Sequence, residues 1–361
     1  MKLVVLGLSL SSSWGNGHAT TYRALLKAFA ERGHEILFLE RDVPWYAAHR
    51  DLEPDFCKLA FYKDLAELEP WRPHIETADA VIVGSYVPEG VAVGEWVLAN
   101  ARGVTAFYDI DTPVTLSNLE SRGVDYVSTS QISRYDLYLS FTGGPTLGRI
   151  ESAYGSPAAR ALYCSVDADL YRPVDTPKRW DLSYLGTYSI DRQPILERLL
   201  LEPARAAPHL RFCVAGPQYP AEIAWPANVE RIDHVAPPDH PAFYGASRFT
   251  LNVTRADMSA AGYSPSVRLF EAAACAAPII SDIWDGIETL FEPDQEIVLA
   301  QADRTVLSAL AAPPSLPSRI GHAARQRILG AHTARHRALE LEALLRQARS
   351  APSPAAEVAH A

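Results

Sequence analysis

Short runs of consecutive apolar residues alternate along this chain with stretches in which apolar side chains return every three or four positions. The first run, Leu3 to Leu8, leads into a Ser- and Gly-rich loop at 9–18. Tyr22, Leu25, Leu26 and Phe29 then recur at helical spacing until Gly33, and Ile36 to Leu39 forms the next run. The pattern repeats with Ala80 to Val83, a helical stretch near Val91–Ala101, Val104 to Tyr108, and Leu137 to Ser140. Uninterrupted apolar strands separated by helices predict a parallel sheet covered on both faces.

A second series starts after Tyr171–Pro177, where two prolines flank a polar stretch. Its predicted strands are Leu182–Leu185, Arg211–Ala215, Phe249–Val253, Pro278–Ser281 and Ile297–Leu299, with helices between them. The expected organisation is a first domain over 1–172, a second over 178–316, a terminal helix over 317–349 and a disordered tail over 350–361. The fold class is α/β, with two Rossmann-like doubly wound domains facing an interdomain cleft. In such sheets the ligand site lies beyond the carboxyl ends of the strands.

Composition narrows the function classes. At 361 residues the chain has room for two cores, and 48% hydrophobic with 21% charged residues is ordinary for a globular protein. A net charge of −10 argues against nucleic acid or an anionic membrane as partner. No apolar run approaches the roughly 18 residues a transmembrane segment needs. Met1 to Gly7 is too short for a secretion signal and runs straight into the loop, so a first buried strand is expected. Cys57, Cys164, Cys213 and Cys275 are scattered, which suits reduced thiols and a cytoplasmic location. The histidines show no ligand spacing, and no metal site is expected.

The chemistry concentrates at sheet edges. Pro265 to Asp282 reads as a helix followed at once by a buried strand. Pro265 suits the first helical position and Ser264 suits the cap, while Arg268 and Glu271 stand within otherwise apolar sequence. Free N–H groups with Ser264 and Ser266 make an anion site, and the combination suggests a nucleotide-diphosphate pocket. In Trp14-Gly15-Asn16-Gly17-His18 the glycines allow backbone to approach a ligand, and His18 reads either as a general base or as a helix cap. A Gly-x-Gly-x-x-Gly fingerprint is absent there. Asp109 and Asp111 follow a strand, and either one binds acceptor hydroxyls, serves as base, or caps a turn. Glu40 to Tyr46 suits either sugar stacking or a salt-bridge cluster, and Ser140 to Pro145 either a close approach or a plain turn. In the second series Gly186 and Thr187 leave a strand, and Arg192 and Arg255 each carry a bidentate fork of the kind that suits phosphate oxygens, with a surface charge as the alternative for each. Gly216 follows another strand.

The segment Pro265–Asp282 resembles the donor-binding helix of GT-B glycosyltransferases, especially the large retaining group with Glu-x7-Glu followed by Ala-x-Ala-Cys-Gly-x-Pro. The resemblance implies that Glu271 binds the ribose hydroxyls of a donor nucleotide. Tyr263 stands where that group has its first Glu. The wider sequence is similar to the CgeB-type spore-maturation glycosyltransferase-like family. The similarity rests on Ser12–His18, Phe38–Tyr46, Ser140–Pro145, Tyr163–Asp167 and Gly262–Glu271. The loop ending Gly17-His18 also resembles the first loop of the peptidoglycan glycosyltransferase making lipid II. The resemblance implies a bacterial, metal-independent hexosyltransferase with a nucleotide-diphosphate sugar as co-substrate and no cofactor. Its acceptor would be a small molecule, glycan or protein. The donor would meet Gly186, Thr187, Arg192, Gly216, Arg255, Tyr263, Ser264, Ser266, Arg268 and Glu271. The acceptor would meet Trp14, Gly15, Asn16, Gly17 and Asp109, with His18 and Asp111 as catalytic residues. Two other readings stand beside it: a nucleotide-sugar epimerase, and a non-catalytic binder of nucleotide or sugar.

Overall fold

The computed structural model describes residues 1–14 and 18–350. Two parallel sheets dominate it. The first contains β1 (Lys2–Gly7), β2 (Glu35–Arg41), β3 (Lys58–Tyr62), β4 (Ala80–Gly84), β5 (Val104–Asp109), β6 (Leu137–Ser140) and β7 (Ala159–Ala161), in the order 3-2-1-4-5-6-7. The second contains β8 (Trp180–Leu185), β9 (Phe212–Ala215), β10 (Val229–Ile232), β11 (Ser247–Asn252), β12 (Ile279–Ser281) and β13 (Val298–Leu299), in the order 10-9-8-11-12-13. Central strands β4, β5 and β6 are buried along their whole length because helices cover both faces, which is why they read as unbroken apolar runs.

Strand order reverses between β1 and β4 in one sheet and between β8 and β11 in the other. The turns leaving these four strands carry the chemistry, as expected at a topological switch point. Loop 9–13 after β1 is held by Glu40, a fully buried carboxylate that accepts from the Leu10 and Ser11 N–H groups at 2.7 and 2.9 Å and from the Ser11 hydroxyl at 2.6 Å. Of the two readings of the segment 40–46, Glu40 therefore takes the structural one.

One joint between the domains is made by backbone and hydroxyl bonds. In the turn after β6, the Gly143 N–H donates to the Tyr263 carbonyl at 2.9 Å, and the Thr142 and Ser264 hydroxyls bond at 2.7 Å. The Tyr263 ring is wedged between Gly144 of the first domain and Gly286 of the second; a Cβ on either glycine would lie 2.4 Å from a ring carbon.

The predicted helix over 317–349 is two helices, Ser315–Ala331 and Ala334–Ser350, parted where Thr333 forms a bridge with Val166. The second helix lays Ala338, Leu341 and Leu345 into the core shared with helix His18–Ala30. Charge fixes the same contact, since Glu342 meets Arg32 and Arg346, and Arg349 meets Asp79. Hydrogen bonds from those two arginines hold the Glu342 carboxyl down at about 2. Among the described residues no helix is long and apolar enough to cross a membrane.

Candidate active site

The carboxyl ends of both sheets open onto one cleft of about 450 Å³. On its first wall, Asp111 sits just past β5 at the start of helix Thr112–Ser121, without using its side chain as a cap. Its Oδ2 accepts from the Tyr86 hydroxyl at 2.9 Å, lies 3.9 Å from His18 Nε2, and lies 3.4 Å from Arg255 Nη1 of the opposite domain. Burial lowers the His18 pKa; Asp111 raises it and Arg255 lowers it further. Tyr86 has φ +64°, a left-handed backbone that a bulky residue rarely takes, so its placement against Asp111 is imposed by the surrounding structure.

Three acceptor-side expectations need correction or fall outside view. Asp109 does not reach the cleft. It is fully buried at the end of β5, accepting from Tyr138, from the Thr115 hydroxyl at 2.9 Å and from the Asp111 N–H at 3.2 Å. Burial pushes its carboxyl up to about 6. The chain turns between the two aspartates, so strand alternation does not put them on one face. Trp14 stacks on His49 at 4.6 Å, and the cleft wall there is Ser13. Gly15, Asn16 and Gly17 lie outside the described residues.

The second wall gathers Gly186, Thr187, Arg192, Gly216, Arg255, Ser266, Arg268 and Glu271. Gly216 has φ +139°, and a Cβ there would lie 2.1 Å from the Gly186 carbonyl oxygen, so backbone packs against backbone at this edge. Arg192 Nη2 donates to the Thr187 carbonyl at 2.9 Å, while its Nε is buried with no hydrogen-bond partner among the described residues. Arg268 is more committed: Nε donates to the Leu185 carbonyl at 2.6 Å, Nη1 to Asn252 Oδ1 at 2.9 Å, and the guanidinium lies 4.8 Å from the Tyr184 ring centroid.

The helix expected to start at Pro265 begins later. It spans Val267–Ala274 with Ser266 at the cap position, and the Ser266 hydroxyl donates to Asn252 Oδ1 at 2.7 Å. Ser264 is not the cap; it is buried in the domain joint. Tyr263 likewise points into that joint and does not line the cleft. Its φ of +49° and the bond from its N–H to the Asp285 carbonyl turn it there.

Glu271 is 4% exposed and lines the cleft, with His240 Nδ1 3.4 Å from Oε2. His240 also contacts the Val235 carbonyl through Nε2 at 3.2 Å and the Tyr171 hydroxyl at 3.2 Å. Burial, and then the Glu271 charge, push the Tyr171 and Tyr244 hydroxyls well above their ordinary value. Sequence reasoning missed Tyr86, His240, Tyr171 and Tyr244. Tyr86 alone left a signal, because it follows β4 at the same edge as His18 and Asp111.

Residues 192–343 match the family model described as glycosyl transferase-like. No curated protein matches the chain in sequence. Sucrose-phosphate synthase from Thermosynechococcus elongatus superimposes with a TM-score of 0.67 at 15% identity, over 96% of this chain and 99% of that one. Anabaena HepE in complex with UDP and glucose gives 0.67 at 13% identity, over 96% and 100%. An alpha-glucosyltransferase in complex with UDP and a 13-mer DNA gives 0.68 at 12% identity, over 96% and 99%. Two facing, doubly wound parallel sheets with this likeness are the GT-B fold. The chain therefore has the GT-B fold, and its second half carries the glycosyl transferase-like match.

Proposed function

We propose that this enzyme moves a sugar from a nucleotide-diphosphate sugar to a hydroxyl of an acceptor seated on the first domain, in a CgeB-type, metal-independent reaction in the cytoplasm. The observation that carries the reading is Glu271. It is a buried carboxylate in the cleft wall, paired with His240 and not with the arginine three residues before it on its own helix. A carboxylate so placed suits the two ribose hydroxyls of a nucleotide. Arg192 and Arg255 line the same cleft, where a diphosphate would lie. Cations so placed stabilise the charge that develops on a departing diphosphate without a metal ion. UDP is the first nucleotide to try, since HepE and the alpha-glucosyltransferase are described in complex with it. The net charge of −10 disfavours a nucleic-acid acceptor.

In the proposed step, His18 takes the acceptor hydroxyl proton while that oxygen bonds to the anomeric carbon. The bond from carbon to diphosphate oxygen breaks, and its electron pair leaves on the diphosphate. Asp111 orients His18 and stabilises the imidazolium that forms.

Calorimetric titration with UDP in EDTA tests the donor assignment. Wild type binds, and Glu271→Ala binds at least about tenfold more weakly, because each charge-assisted bond contributes roughly 1.5–3 kcal/mol. Glu271→Gln is milder, since the amide keeps one acceptor oxygen. Melting temperatures stay near wild type. Unchanged affinity in Glu271→Ala overturns the ribose role, and binding that returns only with magnesium or manganese overturns metal independence.

A further inference from the structure

Asp111 is the meeting point of groups from both domains. His18 and Tyr86 approach from its own side, and Arg255 reaches it from across the cleft. The backbone beneath Arg255 is clamped. The preceding residue, Thr254, gives its N–H to both Asp282 carboxylate oxygens at 3.1 and 3.2 Å and its hydroxyl to Oδ1 at 3.0 Å. The guanidinium, at the end of a flexible stem and about a third exposed, is therefore the part that can move (34% side-chain exposure). It faces two carboxylates, Asp111 at 3.4 Å and Asp191 at 3.7 Å, and it lines the same cleft as Arg192, Arg268 and Glu271.

We propose that Arg255 is a charge switch that couples donor binding to the His18–Asp111 pair: the donor diphosphate competes with Asp111 for its guanidinium and leaves Asp111 to His18 alone. This rests on the donor reading above and goes beyond it, because it gives one arginine two alternating anions and sets the order of events. Among the described residues, the charged and titratable groups around His18 include Asp111 and Tyr86 from the first domain, with buried Asp109 behind them, and Arg255 with its partner Asp191 from the second. Asp111 favours the imidazolium and Arg255 opposes it. Once the guanidinium turns from Asp111 to the diphosphate, its opposition ends. His18 then becomes a stronger base only when a donor is present, so the acceptor hydroxyl is activated last.

The test is the titration of His18 by NMR on protein labelled at its 11 histidines, with His18→Gln assigning the resonance. Calorimetry first fixes a saturating level of UDP, and of GDP, ADP and dTDP if UDP gives no heat. In wild type the bound nucleotide raises the His18 midpoint by about one pH unit, a tenfold gain in proton affinity. In Arg255→Gln the midpoint is already raised by about that much without nucleotide, and saturation adds less than about a third of the wild-type rise. Arg255→Lys keeps the charge and keeps the response. An equal nucleotide-induced rise in Arg255→Gln overturns the switch, because the diphosphate then acts on His18 directly. An unmoved midpoint in wild type with nucleotide demonstrably bound overturns it as well, leaving the donor reading intact. If none of the four nucleotides binds, the donor reading falls and takes the switch with it.

Discussion

Two aspartates, one residue apart, show how position alone divides roles. Asp111 faces the Arg255 guanidinium, the His18 ring and a hydroxyl at the cleft, whereas Asp109 is enclosed with Tyr138 and Thr115. The native state holds a proton on Asp109 up to about pH 6, while the unfolded chain releases it near 3.8. The folded form therefore binds more protons between those values, and stability falls as pH rises through that window, by up to about 3 kcal/mol. Asp109→Asn removes this titration. Urea unfolding at pH 4, 5, 6 and 7 should show the variant gaining on wild type by that order as pH rises. A difference that stays flat with pH contradicts the raised carboxyl. At this scale the sequence displayed residue types and sheet-edge positions, which is why His18, Asp111, Arg255 and Glu271 were singled out. It could not display Tyr263, whose direction depends on two glycines far along the chain, nor His240, which tertiary packing brings to Glu271.

Among elements, those buried on both faces were legible, whereas of the four edge strands only β13 was. β3, β7 and β10 went unpredicted: they flank their sheets, β3 and β10 carry charged residues on an exposed side, and β7 spans three residues. The break near Thr333 was hidden because helical periodicity resumes on the far side. Helix Ser315–Ala331 offers a test of packing against propensity. Gly321 lies against the end of helix Val267–Ala274, where a Cβ would come 2.2 Å from the Ala276 carbonyl oxygen. Propensity alone favours alanine over glycine in a helix interior by about 1 kcal/mol. The overlap should reverse the sign, with Gly321→Ala destabilising by about 1–3 kcal/mol on chemical denaturation. A stabilised variant would mean that the two helices part without cost.

For the whole molecule, the chain's last described helix returns to its first, so the ends of the sequence lock one domain together. Glu342 is the electrostatic centre of that return. A carboxyl held down at about 2 contributes stability that is fully present above its ordinary value of 4.5 and is lost as pH falls through 2. Glu342→Gln should therefore lower the melting temperature by a few degrees at pH 7, and by progressively less as pH drops from 4.5 toward 2. A penalty independent of pH would assign the loss to packing instead. The two doubly wound parallel sheets, though not the order of their strands, were readable from two series of alternating elements separated by a proline-flanked stretch. The joint between them was not, since its contacts pair residues more than a hundred positions apart, as Thr142 with Ser264.

That joint also limits how the two halves can travel. A planar ring held between two glycine backbones, one from each half, acts as a key in a slot: sliding one half past the other would drive the ring into the main chain. A change in the width of the cleft would therefore have to come as a turn about Tyr263 and not as a shear at this point.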